Sequence, residues 1–173
     1  MLVLDLGSGP GTMSEMVAAA GGRPVLLDAS KKMLLAAGQY DRVQGTYENL
    51  PFREGSFSSV VAGFSFRDSR DLIAATREVR RALMADGRFA FCDLGKPDSF
   101  IKAVMLGYYI RVGVPLIGAV TGGRTGLGFR SLFDTYVLTL SNGALASLLS
   151  RYFSQVDVRE EMLGGSIVVR CRT

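Results

Sequence analysis

The 173-residue sequence contains no histidine and no tryptophan, two cysteines and five prolines. The missing histidine excludes a Ser-His-Asp triad, a Cys-His pair and any histidine-bearing zinc site. Acid-base chemistry must therefore fall to carboxylates, tyrosine, lysine, arginine-bound water or the substrate itself. Cys92 and Cys171 lie in apolar stretches, which points to free buried thiols of a reducing compartment rather than a secretory disulfide framework. No charged segment followed by an apolar one opens the chain, so a signal peptide is not expected. The apolar runs are too short or too polar for a membrane helix of about 20 residues. A basic run with interleaved aromatics is missing as well. The 20 Lys and Arg exceed the 16 Asp and Glu by a thinly spread margin, which argues against a nucleic-acid groove. Attraction to an anionic membrane surface stays open. These absences describe a soluble, cytoplasmic protein.

What is present suits one globular domain: 48% hydrophobic residues, 21% charged ones and 21 glycines. The apolar run Leu2–Leu6 stops at Gly7-Ser8-Gly9-Pro10-Gly11 and reads as a strand. Thr12–Ala20 reads as a helix ended by Gly21-Gly22. Pro24–Asp28 is a second buried strand, Ser30 caps a helix through Ala37, and a short strand lies at Arg42–Gly45. After the loop Thr46–Gly55 come a strand at Ser58–Phe64 and a helix at Leu72–Met84. Asp86-Gly87 turns the chain into a fifth strand, Arg88–Leu94. Strands apolar on both faces, alternating with helices, predict an α/β fold with a doubly wound, mostly parallel sheet. Residues 99–140 break the rhythm as an apolar, glycine-rich helical insertion, and within 103–150 the charged residues are Arg111, Arg124, Arg130 and Asp134. Asn142 is expected to cap a helix through Tyr152. Val156–Arg159 and Ser166–Cys171 then form a hairpin that completes a seven-stranded sheet with an antiparallel last strand.

Three segments carry chemistry. Asp5-Leu6-Gly7-Ser8-Gly9-Pro10-Gly11-Thr12 joins a strand to a helix, where glycines let backbone approach a ligand and the helix start offers free N–H groups. Its G-x-G-x-G spacing differs from the G-x-G-x-x-G of dinucleotide sites, and Asp5 ahead of the glycines suits a cationic ligand better than a pyrophosphate. Asp28, ending the second strand, can accept both hydroxyls of an adenosine ribose, or it can simply cap the next helix beside Ser30. The loop Gly45-Thr46-Tyr47-Glu48-Asn49-Leu50-Pro51-Phe52 falls where an adenine edge would lie, although alone it would pass for a surface loop.

Together these segments resemble a class I S-adenosylmethionine-dependent methyltransferase. Further segments are similar to the ubiquinone/menaquinone biosynthesis C-methyltransferase family: Phe64-Ser65-Phe66-Arg67-Asp68, Leu83–Phe89, Asp93-Leu94-Gly95-Lys96-Pro97, Tyr108-Tyr109 with Val114-Pro115-Leu116-Ile117-Gly118, and Leu163–Val168. The resemblance runs over nearly the whole chain and implies a Rossmann-like methyltransferase fold in a single domain, 1–173, with 99–140 as substrate cover or interface. It implies S-adenosyl-L-methionine as cofactor, held by Asp5, Gly7, Ser8, Gly9, Gly11, Asp28, Ala29, Met33, Thr46, Tyr47 and Gly63, and no metal. It further implies that Arg67 and Asp68 face the substrate ring as catalytic residues, with surface and helix-capping roles as the plainer readings of the two.

This sequence departs from the family pattern at four places. Asp68 stands where Asn is usual, and Thr46 where an acid or Asn is usual. The tyrosine-rich segment is reduced to Phe129-Arg130-Ser131-Leu132 and Asp134-Thr135-Tyr136. The family also has a helical segment before the first strand that covers the cofactor and contributes a tyrosine, whereas this sequence starts at Met1 on that strand. Three readings follow: a shortened coding start, a partner that supplies the cover, or a chain that binds cofactor without efficient turnover.

Methyl transfer from a sulfonium needs alignment and exclusion of water more than acid-base groups, so a histidine-free chain can perform it. The expected acceptor is a lipophilic, prenylated quinol precursor, with Arg67 stabilising the ring oxyanion, Asp68 taking a proton and Asp93 as a second candidate base. The apolar 99–140 segment provides a channel for such a molecule, or a homodimer interface, or both. Peripheral membrane contact belongs to the same expectation. Alternatives are a methyltransferase for another small molecule, a truncated cofactor-binding subunit without turnover and, disfavoured by the glycine spacing, a nicotinamide dehydrogenase.

Overall fold

The computed structural model describes residues 1–114 and 131–173. Five strands come first: β1 (Leu2–Leu6), β2 (Arg23–Asp28), β3 (Asp41–Gln44), β4 (Phe57–Gly63) and β5 (Leu83–Leu94). Between them lie α1 (Thr12–Ala19), α2 (Lys31–Ala36) and α3 (Leu72–Ala82), the last preceded by a 3-10 turn at Phe66–Asp68. Then follow α4 (Phe100–Tyr108) continued by a π-helical turn at Tyr109–Gly113, α5 (Ser131–Leu138), α6 (Asn142–Leu149), β6 (Gln155–Glu161) and β7 (Ser166–Arg172).

The strands form one seven-stranded sheet in the order β3-β2-β1-β4-β5-β7-β6, with β1 to β5 parallel and β7 antiparallel to both neighbours. This is the doubly wound α/β sheet with an antiparallel last strand that the sequence predicts. Strand order reverses between β1 and β4, so the crevice at the carboxyl ends of these strands is the place where such a sheet receives a ligand. The main core lies between the sheet and α3 and α6. Phe66, Phe89 and Phe91 meet there with ring centroids 4.9–5.1 Å apart, packed with Val60, Val79, Leu149 and Val169. Leu26, Leu34 and Ala37 form a smaller cluster under α2 on the other face.

Three local expectations change. The helix expected to Met84 ends at Ala82, because Leu83 already pairs with Phe57 of β4. Asp86-Gly87 then forms an excursion inside β5, with Asp86 at φ 58, instead of preceding the strand. Helix α6 is capped by Ser141, whose Oγ accepts from Ala144 N, and not by Asn142. Asn142 is buried and clamps three segments: its Oδ1 accepts from Lys96 N at 2.8 Å, and its Nδ2 donates to Glu160 Oε1 at 2.7 Å and Gly164 O at 3.0 Å. A serine satisfies a cap, but this junction needs a side chain that accepts once and donates twice, which a hydroxyl with one proton cannot do. Both cysteines are free, Cys92 half-buried and Cys171 buried, and burial pushes the Cys171 thiol up to about 12. Among the described residues no helix is long and apolar enough to cross a membrane. The family-like segment 115–118 and residues 129–130 lie outside the described residues.

Candidate functional site

The glycine loop leaves β1 and crosses the end of β2, where Gly7 N and Ser8 N both donate to Leu27 O, at 2.8 and 3.1 Å. Gly7 has φ +68, and a Cβ there would stand 2.2 Å from the Tyr47 hydroxyl and 2.6 Å from Ser65 Oγ. Only glycine lets the loop lie this close to both side chains. Gly9 N donates to Asp28 Oδ2 at 2.8 Å, and Ser30 N donates to Asp28 Oδ1 at 2.7 Å. Asp28 therefore holds the loop and the start of α2 together, and each of its oxygens keeps a further lone pair for a ligand hydroxyl.

Asp5 is buried at the end of β1. Its Oδ2 accepts from Ser14 Oγ at 2.6 Å, while its Oδ1 is buried with no hydrogen-bond partner. Burial pushes the Asp5 carboxyl above the usual carboxylate range; the Ser14 hydrogen bonds pull it back, and the Asp28 charge adds to the rise. A buried carboxylate oxygen without a donor is costly, and a cationic or N–H-bearing ligand in the crevice would relieve it. Ser8 Oγ is a second buried, unpartnered atom of the same loop.

Tyr47 reaches the loop from the β3–β4 connection, and burial pushes its hydroxyl up to about 12, so it stays a proton donor at neutral pH. Ser65, whose Oγ donates to Leu6 O at 2.9 Å, brings the segment after β4 to the same place. Glu48 Oε1 accepts from Arg70 N at 2.7 Å, and Thr46 hydrogen-bonds to the same carboxylate, which pins the loop to the start of α3. Gly63 admits the Met13 side chain of α1, whose Cγ would lie 2.8 Å from a Cβ there. Ala29 and Met33 are exposed beside Asp28.

Arg67 sits in the turn after β4, nearly enclosed beside Asp93 at the end of β5. Its Nη1 donates to Asp93 Oδ1 and, at 2.9 Å, to Phe64 O, while its backbone N donates to Asp93 Oδ2 at 3.0 Å. Leu94 N completes the Asp93 shell at 2.8 Å. Arg67 Nε lies 3.6 Å from Asp68 Oδ1 and is buried without a hydrogen-bond partner. Burial pushes the Asp68 carboxyl up; Arg67 opposes this and Asp93 adds to it.

An apolar cavity of about 550 Å³ opens at the carboxyl end of β4 and β5, walled by Phe64, Leu94, Met105, Leu106, Ile110 and Leu163, with Lys102 on its lining. A second, mixed cleft of about 710 Å³ borders the Arg67–Asp93 pair on the α3–α6 side and shares Leu94 with the first.

The structure thus gathers Asp5, Gly7, Ser8, Gly9, Asp28 and Tyr47 around one crevice, and sets Arg67 and Asp68 beside it through Ser65. Sequence reading missed Ser14 and Ser65. For Ser14 the available signal is a small polar residue in the first turn of a helix that follows a buried acid. For Ser65 it is a hydroxyl just past a strand end that faces the glycine loop.

Comparison with known proteins then places the fold. A family model described as a methyltransferase domain matches residues 4–91. A demethylmenaquinone methyltransferase of Thermotoga maritima is 30% identical over 130 residues, covering 70% of this chain and 56% of that protein. The ubiquinone/menaquinone biosynthesis C-methyltransferase UbiE of Rubrivivax gelatinosus is 28% identical over 123 residues, covering 68% of this chain and 48% of that protein. The chain thus spans about half the length of the curated relatives it matches. The crystal structure of an S-adenosylmethionine-dependent methyltransferase from Mesorhizobium loti superposes with a TM-score of 0.69 at 17% identity, covering 99% of this chain and 90% of that one.

Proposed function

The chain belongs to the methyltransferase domain family, and from that premise we propose that it methylates a ring carbon of a prenylated quinol precursor of the menaquinone/ubiquinone type, with S-adenosylmethionine as donor. The observation that carries the donor half is the orphaned Asp5 Oδ1 buried beside the glycine loop. A carboxylate left without a donor, next to backbone that only glycine permits, fits a small ligand with an ammonium group. Asp5, the Gly7–Gly11 backbone and Asp28 would hold S-adenosylmethionine, with Tyr47 and Thr46 flanking it. When bound, that cofactor supplies an electrophilic methyl group on a sulfonium sulfur.

The remaining roles fall to the chain itself. Asp93 fixes Arg67, whose guanidinium charge would stabilise a developing ring oxyanion. Asp68, half-exposed and with its carboxyl raised by burial, takes the proton from the acceptor hydroxyl. The cavity lined by Phe64, Met105 and Leu163 excludes water and takes the lipophilic part of the acceptor. In this reading residues 1–173 form one methyltransferase unit, with 99–140 as substrate cover, working in the cytoplasm. Phe100, Ile101 and Tyr108 of α4, each at least 70% exposed, meet the membrane surface in which such an acceptor dissolves.

The names of the curated relatives support the quinol acceptor. A tritium-transfer assay from methyl-labelled S-adenosylmethionine to a demethylmenaquinol analogue tests it, with label in the organic phase expected. Transfer to other small phenols but not to the quinol would overturn the acceptor and keep the donor. Failure of the chain to co-sediment with anionic vesicles would overturn the membrane contact.

A further inference from the structure

The cleft of about 710 Å³ on the α3–α6 side of the sheet is built differently from the apolar cavity. Its floor is formed by Phe66, Phe91 and Ile167, all buried. Leu72 and Ile73 of α3 make one wall, and Leu145 and Leu148 of α6 make another. Along α6 the lining residues Ala144, Ser147, Leu148 and Arg151 recur at helical spacing, so Arg151 extends this stripe beyond the last helical residue, Leu149. Arg70, two residues before α3, extends the first wall in the same way.

The charges of the lining do not cancel. Arg67 and Asp93 close the inner end, but they are spent on each other. Asp71 Oδ1 accepts from Ile73 N at 2.9 Å and Ala74 N at 3.0 Å, so it caps α3 and closes that helix start from within. Glu48, next to this wall, is held by the backbone N–H groups of Arg70 and Asp71. Arg70 and Arg151 are left, both exposed, and among the described residues neither takes part in an ion pair. Ser69 Oγ, in the same wall as Arg70, is buried without a hydrogen-bond partner. Such an atom is one that a bound head group, or a water carried with it, can complete.

We propose that this cleft binds an amphiphile with one anionic head, a carboxylate or a phosphate monoester, whose apolar body lies against Leu72, Ile73, Leu145 and Leu148 and whose head is taken by Arg70 and Arg151. Apolar walls with a few placed polar groups are the usual lining of a small-molecule site of this volume. A guanidinium presents a planar fork that matches the oxygens of either head group. The apolar floor lies deep, with Phe66 and Ile167 each 1% exposed, so the ligand enters as a single molecule and not as a bilayer surface. The site is separate from the glycine crevice and shares Leu94 with the apolar cavity, so it does not depend on which acceptor is methylated.

The lack of tryptophan supplies the test. Ser147→Trp puts a single indole on the exposed rim of the cleft. Decanoate and decyl phosphate, kept below their micellar range, are expected to shift its emission to the blue, saturably and one-to-one, and the tighter of the two identifies the head. Decanol should bind at least roughly tenfold more weakly, and decyltrimethylammonium should leave the emission unchanged. Arg70→Gln and Arg151→Gln should each weaken the tighter anion about threefold or more, whereas Lys102→Gln, on the apolar cavity, should leave its affinity unchanged. Calorimetry of that anion with the unaltered chain should return the same dissociation constant, which carries the test if the tryptophan variant does not fold. The proposal is overturned by any of five results. These are no binding of either anion by the unaltered chain, decanol binding as tightly as the anions, and loss of the anion in Lys102→Gln with retention in both arginine variants, which would move it to the apolar cavity. The other two are a response to anionic phospholipid vesicles but to neither free anion, and an emission shift that grows with protein concentration without ligand, which would place a second copy of the chain in the cleft.

Discussion

Two carboxylates end two parallel strands of this sheet, and they are spent in opposite ways. Asp93, at the end of β5, is buried and saturated from within: Arg67 N, Arg67 Nη1 and Leu94 N all donate to it. Asp5, at the end of β1, is equally buried but has one internal donor, Ser14, and one oxygen with none. The chain uses the first acid to fix a cation and leaves the second incomplete. In a protein interior an unpaired carboxylate oxygen costs stability, and its persistence beside a glycine loop supports the cofactor seat proposed above. On the proposed reading the region around β5 is prepared machinery, and the region around β1 is an open socket.

Breaking the saturated acid should have the largest effect. Asp93→Asn strands the Arg67 guanidinium in a nearly closed site, and removing one partner of such a pair costs about 3–5 kcal/mol. Urea unfolding should show a lower midpoint with the slope retained, and turnover should fall in the same variant. Stability like that of the unaltered chain would mean that the pair is not the internal clamp described here.

Arg67→Lys separates positioning from charge. A lysine keeps the cation but loses the planar guanidinium whose Nη1 donates to both Asp93 and Phe64 O. Turnover should drop by about two orders of magnitude, with S-adenosylhomocysteine affinity unchanged because Arg67 belongs to the β5 side. Loss of cofactor affinity in this variant would erase the distinction between the two regions.

A smaller effect is expected from pH. Burial raises the Asp68 carboxyl above its ordinary value, so if Asp68 takes the acceptor proton as proposed, the chain is inactive at low pH, where this carboxyl is protonated. Turnover should climb as pH rises through that raised range and then level off. Asp68→Asn should flatten this acid limb in a pH–rate profile, and an unchanged limb would assign the proton to another group.

How much of this was legible beforehand follows the same divide. The β1 side is built from local signals: an apolar run, glycines at φ +68, +53 and +92, and a strand ending in an acid. Turn chemistry and strand pattern are short-range, so the loop, the neighbouring helices and the sheet class could be read from the residues. The β5 side depends on residues far apart in sequence. Nothing local says that Arg67 will be held by Asp93, that Asn142 will leave the cap to Ser141 and clamp Lys96 to Gly164, or that Leu83 will leave the helix to pair with Phe57. Such choices are made by tertiary demand for a donor, an acceptor or a strand partner, and neighbouring residues carry no trace of it.

The most direct test of the open socket is a calorimetric titration of S-adenosylhomocysteine into the unaltered chain and into Asp5→Asn, with the melting temperature of each recorded in parallel. Burial raises the Asp5 carboxyl, so the folded chain holds that proton more tightly than the unfolded one. Its ionisation therefore subtracts stability as pH rises through that range. The neutral amide removes this penalty, and the melting temperature should hold or rise. The account predicts one-to-one binding by the unaltered chain and at least a roughly tenfold weaker affinity for Asp5→Asn, about 1.4 kcal/mol. Equal affinity in the two, or no binding by the unaltered chain, would contradict it.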